Sequence, residues 1–507
     1  MRIIARSRLL PTSWLVVPGD LIWADTAAVA GAMFDKRRDV TEAGFLHQLE
    51  TRIPRKVEVM KQLNVVSAVA VCLLCMQLAP DAQARTFTAG PDNYSHMLTK
   101  LSPGDTLQLA GGYYFRGLRI HGMEGRDGAP ITIAGATAGP PTVFFGRQGH
   151  NTISIKNAAY VTVRDLELDG RGAFVDAVKA EGNADYAHHI TLQNLYIHNL
   201  VAHQQSVGIS TKCPAWDWVV KGNRIIGTGT GMYFGNSDGS APFIGGLIEG
   251  NEVIDSIGYN LQIKHQIARP ALIGIPIEQR MTIIRRNRFI KERNSSAGPS
   301  ARPNVLVGHF PLQGPGENDE YAIYGNLFYQ NPGEALFQGE GNIALYNNLF
   351  FNSHDNDFPT VALQPHNDVP KQIHIFGNTV VHPSKGIRVL PGTGSEDFDQ
   401  RVVGNAVFAN EAIDGGAQSD NFVAAFSEVF QFLQSPVPDP ATLSLAPCGE
   451  RLRATHRITL FADYPESDRD FNGTLREGRD FGALASTAGN RCPSIKLPSV
   501  KQNEPPS

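Results

Sequence analysis

The sequence predicts an all-β solenoid, a stack of coils built from short strands, and three observations carry that expectation. Asparagine returns at a near-constant interval, each time just before a short apolar run: Asn194, Asn223, Asn251, Asn287, Asn326, Asn348, Asn378 and Asn405, with Asp165 in the same place one step earlier. The intervals are 29, 29, 28, 36, 39, 22, 30 and 27 residues. A period in this range marks a solenoid, whose units bury their apolar faces only by stacking on one another. The repeated segments, among them ITLQNLYI, WVVKGNRII and IHIFGNTVV, are rich in Ile, Val, Leu, Phe and Tyr and are broken by Gly and Asn. They carry no long helical period, which excludes helical repeats. About 30 residues suffice for three short strands with their turns, and nine such coils at about 4.8 Å would stack roughly 43 Å. The asparagines have a structural part in this scheme: Asn tolerates left-handed turns, and its amide can bond to the same group one coil away.

Taken in order, residues 1–59 read as a mis-called upstream extension and 60–84 as a signal peptide. Met60-Lys61 opens a short polar segment, Val65–Leu78 is apolar, and Ala82-Gln83-Ala84 is a small-x-small cleavage signal. The alternative is a genuine extension with a membrane anchor, but the apolar run falls short of the roughly 20 residues that span a bilayer. A chain beginning after Ala84 has 423 residues, with 35 Lys/Arg against 41 Asp/Glu and a net charge of −6. No basic excess suggests nucleic acid. No later apolar run is long enough to cross a membrane. Residues 85–150 form an N-terminal cap with the first coils, 151–410 the body of the stack, and 411–507 a C-terminal capping segment and tail. Cys448 and Cys492 flank that tail and could pair in an oxidising compartment, leaving Cys213 free. No cysteine or histidine cluster has zinc-site spacing.

The pattern GN-x-[VILF]-[FIV] about every 30 residues resembles the right-handed parallel β-helix proteins of the pectin-lyase-like superfamily, over about 85–490. Residues 89–135, AGPDNYSHMLTKLSPGDTLQLAGGYYFRGLRIHGMEGRDGAPITIAG, are similar to the N-terminal cap of alginate- and chondroitin-lyase-type β-helices. Residues 468–483, DRDFNGTLREGRDFGA, look like the closing segment of many secreted members. The resemblance implies a right-handed parallel β-helix of about nine to ten coils. It implies a bacterial, secreted or periplasmic monomer that acts on carbohydrate. The fold also hosts hydrolases, epimerases, adhesins and phage spikes, so function must be argued from a site.

A second set of strands follows the Asn strands. Aligned on the inward apolar residue, its leads are Ile209, Met232, Leu261, Val305, Leu336, Ala362 and Ile387. Side chains alternate along a strand, so the residues one and three after each lead face outward. The strand-end column then reads Asn236, His265, His309, Glu340 and His366, with Lys212 and Lys264 beside it and Arg388 near its end. Tyr233 and Gln262 lie on the same face. The competing reading is a solvated corner that happens to be polar. The longest repeats carry insertions at Gln266–Arg280, Lys291–Pro303 and Phe310–Tyr321, and long loops on a rigid scaffold commonly wall a site. Glu317, Asp319 and Glu320 could bind calcium or form a solvated acidic loop.

Glycoside hydrolysis needs paired carboxylates, and the column offers only Glu340; the facing of Asp355 and Asp357 is open. A cationic wall instead suits β-elimination on an acidic, uronate-containing polysaccharide. That reaction needs a base for the proton α to the carboxyl and a cation to neutralise the carboxylate. Lys264 or His265 is the expected base, with His309 in the same cleft, and Arg388 or Lys212 the neutraliser. Lys212, Tyr233, Asn236, Gln262, Glu340 and His366 are the expected substrate contacts. Two alternatives remain. Mannuronan C5-epimerases of this fold carry Asp-Pro-His-Asp, and here Gln364-Pro365-His366-Asn367-Asp368 keeps only the Pro-His. A non-catalytic carbohydrate-binding protein would need aromatic platforms, for which Tyr233, Phe337 and Phe310 are available.

Overall fold

The structure is a computed structural model, and it describes residues 84–487 except 202, 293, 294, 297, 395 and 396. The expected extension, the signal peptide up to residue 83, and Cys492 lie outside the described residues. Three parallel sheets of 15, 12 and 11 strands wrap one apolar core. Each complete coil contributes a strand to each sheet, as in Val219–Lys221 (first sheet), Arg224–Thr228 (second) and Thr230–Phe234 (third). Such parallel crossovers are right-handed by the twist of their strands, and the chain is a parallel β-helix. The stack is longer than nine to ten coils, because its first turns lack the Asn marker and its last carries it as Asn421, only 16 residues after Asn405. It starts at Thr86–Ala89 and continues through Glu411–Asp414, Ala417–Ser419 and Phe422–Ala424, past residue 410.

Alternation accounts for the core. The third-sheet register joins Leu118, Ile153, Val178, Ile209, Met232, Leu261, Val305, Phe337, Val361 and Ile387, all buried. At the N-terminal end the helix Tyr94–Leu98 covers the core, with Tyr94 packed edge-on against Tyr114 and Phe144.

The asparagines form the expected ladder between the first and second sheets. Asn223 Nδ2 donates to Asn251 Oδ1 at 2.9 Å, and the same bond repeats through Asn287, Asn326, Asn348, Asn378 and Asn405 to Asn421. Asp165 and Asn194 are not rungs. They occupy the left-handed corner one residue earlier (φ 60° and 53°), the place of Gly222 (φ 64°) and Gly250 (φ 64°), while Leu166 and Leu195 fill the ladder position.

After Ala424 the chain turns back along the outside of the stack. Val429, Leu433, Leu445 and Leu484 cover Tyr329, Phe351, Val381 and Phe408 of the second sheet. Tyr464 donates to Glu320 at 2.8 Å, and Glu466 pairs with Arg285 and Arg286, so this segment reaches several coils back. Cys448 is disulfide-bonded, and Cys213 is a buried free thiol.

Candidate functional site

The outward face of the third sheet is a groove. Its position-one column reads Ser210, Tyr233, Gln262, Leu306, Gln338, Ala362 and Arg388, in strand register. Two residues on, the row reads Lys212, Gly235, Lys264, Gly308, Glu340 and Gln364. The expected leads Leu336 and Ala362 are each off by one: Phe337 and Val361 hold the inward register. Adjacent apolar residues made either choice equally good by hydropathy. Glu340 and His366 therefore do not continue the column of Asn236, His265 and His309. Gly341 stacks there, its absent Cβ 3.0 Å from His309 Cα.

Two adjoining cavities run along this face. One of about 580 Å³ holds Asp176, Lys179, Lys212, Tyr233, Gln262 and Lys264. The other, of about 250 Å³, holds Glu334, Gln338, Glu340 and His366. Tyr259 and Arg302 line both and stand at their junction. The walls come from the corners. The Arg302 carbonyl accepts from Lys291 Nζ at 2.9 Å, Ser296 Oγ at 2.6 Å and Asn331 Nδ2 at 2.9 Å, which pins the backbone that carries the guanidinium.

Lys212 is the most perturbed cation in the groove. Its Nζ lies 3.4 Å from the Tyr233 ring centroid and donates to the Gly235 carbonyl at 3.0 Å. Burial pushes its pKa down to about 8; Lys179 and Lys264 push the same way, and Asp176 opposes them. Asp176 is held in place by Val207 N–H at 3.0 Å and Ser210 Oγ at 3.1 Å, and it pairs with Lys179 at 3.3 Å. Lys264 is lowered by burial, with Glu340 opposing. Tyr233 is raised by burial, so its hydroxyl stays protonated, bonded to Ser237 at 3.0 Å. Glu340 accepts the backbone N–H groups of His366, Asn367 and Asp368 at 3.2, 2.8 and 3.0 Å, which anchors the Pro365-His366 turn over the second cavity. Glu334 is raised by burial, against Arg302 and Lys291.

Several expected residues are placed otherwise. His265 and His309 share one face and stack with ring centroids 5.3 Å apart. Neither lines either cavity, because both sit at the corner beneath the insertions. His309 is buried and its Nδ1 meets the Phe310 carbonyl at 2.6 Å. A carbonyl only accepts, so Nδ1 carries the proton. Burial lowers His265, with His309 adding to it, and its buried Nδ1 has no partner among the described residues. Arg388 is paired with Asp414 at 3.0 Å, beyond the cavities. Asn236 Nδ2 donates to the Lys212 carbonyl at 3.3 Å and so ties coils together. Phe310 and Phe337 are core residues, not platforms. The acidic loop is spent on structure: Asp319 is bonded to Arg269 and Arg280, Glu320 to Tyr464, and Glu317 to Gly314 N–H. Among the described residues, no group of three His, Cys, Asp or Glu could hold a metal ion.

Sequence reasoning missed Asp176, Lys179, Tyr259, Arg302, Glu334 and the exposed Phe174. Lys179 was legible as an outward position on an earlier third-sheet strand, in register with Ser210, whereas Asp176 precedes that strand. The others lie on corner loops, where strand alternation gives no direction.

No protein-family model matches the chain, and no curated protein does. Solved structures do. An alginate lyase from Paenibacillus sp. str. FPU-7 matches at 17% identity and TM-score 0.41, over 67% of this chain and 99% of its own. The pectate lyase Pel9A matches at 14% identity and TM-score 0.41, over 80% and 97%. The PL6 family alginate lyase AlyGC, as a point mutant, matches at 15% identity and TM-score 0.46 over 71% of this chain and 55% of its own, so the chain spans about half the length of that enzyme. At this level the likeness concerns the β-helix and does not extend to activity.

Proposed function

We propose that the protein cleaves an acidic, uronate-containing polysaccharide by β-elimination in the third-sheet groove. The observation that carries this is Lys212, an amine depressed to about 8, beside a protonated phenol and a second lysine in one open cavity. Neutral Lys212 takes the proton α to the uronate carboxyl. Lys264, with Arg302 at the cavity junction, neutralises the carboxylate as charge spreads onto it. The C4–O bond then breaks, and Tyr233 gives its proton to the leaving oxygen. The leader-like segment 60–84 supports a secreted or periplasmic setting. No helix among the described residues is long and apolar enough to cross a membrane.

A second reading is hydrolysis, favoured by Glu334 and Glu340 in the same small cavity, with Glu334 raised as a general acid requires. Against it, Glu340 is committed to three backbone N–H groups. The test is to incubate residues 85–507 with alginate, pectate and chondroitin. Ultraviolet absorbance of an unsaturated product, lost in Lys212→Met, supports the proposal. New reducing ends without absorbance would establish hydrolysis instead. Proton exchange at C5 without cleavage would indicate an epimerase, and binding alone a surface protein.

A further inference from the structure

A third cavity, of about 860 Å³, opens on the same face at the N-terminal end, and Asn151 lines both it and the Lys212 cavity. It holds Arg116, Arg119 and Arg147, all exposed, and no ion pair among the described residues engages them. All three line this one cavity, and each also lowers the phenol of the neighbouring Tyr94 against the burial that raises it. The acid in this cavity, Glu181, is occupied: Asn151 Nδ2 donates to it at 2.9 Å and Ser154 Oγ at 2.7 Å. His121 Nε2 meets the same Ser154 Oγ at 2.9 Å, leaving a polar floor that suits sugar hydroxyls. Arg119 stands in register with Ser154, Lys179 and Ser210, three coils before the strand that leads to Lys212. At about 4.8 Å per coil that is roughly 14 Å, a span of a few sugar residues. A concentration of unpaired guanidinium groups on a chain of net negative charge is unlike a merely solvated surface.

We infer that the Arg116, Arg119 and Arg147 cavity is a remote subsite that grips carboxylates of the same uronate chain whose scissile residue lies at Lys212. The inference rests on the proposed function and adds to it. The groove favours polymers over short oligomers, and the chain extends from Lys212 toward the N-terminal cap.

The test uses residues 85–507 as wild type and as the triple variant R116Q/R119Q/R147Q, with thermal unfolding as a check on folding. Binding and cleavage of polymeric and short, few-residue uronate substrates are measured at two salt concentrations. Three exposed ion pairs together correspond to roughly a tenfold change in affinity. The expected result is a KM for polymer raised by about that factor with kcat unchanged, a weaker salt dependence, and no change on short oligomers. Equal polymer binding by wild type and variant would overturn the subsite while leaving the Lys212 chemistry standing. Loss on polymer and oligomer alike in a folded variant would also overturn it. No uronate binding or cleavage by wild type would overturn the proposed function, and the subsite with it.

Discussion

Lys264 and Glu340 stand in one outward row of the third sheet, two coils apart, and the row position between them is Gly308, which has no side chain. Gly308 is enforced: a Cβ there would lie 2.3 Å from His265 N. Glu340 raises the Lys264 pKa against burial while holding the 366–368 turn. Glu340→Gln should therefore cost stability, because an amide is a weaker acceptor for three N–H groups. The expected loss is about 1–3 kcal/mol by denaturant unfolding. Lys264 should also titrate lower in this variant, which NMR of the labelled amine would read.

The rate should depend on Lys212 with a definite sign. Its neutral form is the base, so kcat/KM should rise with pH up to about 8 and level off above it. Lys212→Met should lose about 10²–10⁴ in kcat and the alkaline rise with it. An alkaline limb that persists in the variant would assign the titration elsewhere.

The asparagine ladder separates two residues that look alike in sequence. Asn287→Ala removes the acceptor for Asn251 N and Nδ2 and the donor to Asn326 Oδ1, all buried. Each orphaned group costs about 1–3 kcal/mol, so thermal unfolding should show a large loss or a chain that does not fold. Asn194 is exposed at φ 53°, and Asn194→Gly should be close to neutral by the same measurement.

Lys291 supplies a pH dependence of stability. Its fully buried amine is pushed down to about 7, so between about 7 and its ordinary value near 10.5 the unfolded chain binds more protons. Stability should then rise with pH across that window by a few kcal/mol and be lost as pH falls toward 7. Lys291→Met should flatten this slope. It should also raise KM for substrate, because the Arg302 carbonyl loses one of its three donors.

The sequence alone determined the stack, its three-strand coils, the Asn ladder and the face that carries Lys212, Tyr233, Gln262 and Lys264. These follow from period and alternation, which are local properties of the chain repeated in every coil. The tertiary structure decided what surrounds each side chain. Leu336-Phe337 and Val361-Ala362 offer two apolar choices each, and only pairing with the neighbouring coils selects Phe337 and Val361. His309 became a buried corner residue and Arg388 a partner of Asp414, while Arg302, Tyr259 and Glu334 entered the groove from loops. A solenoid side chain takes half its environment from coils some 30 residues away in sequence, joined through loops of unequal length, and spacing along the chain does not encode that register.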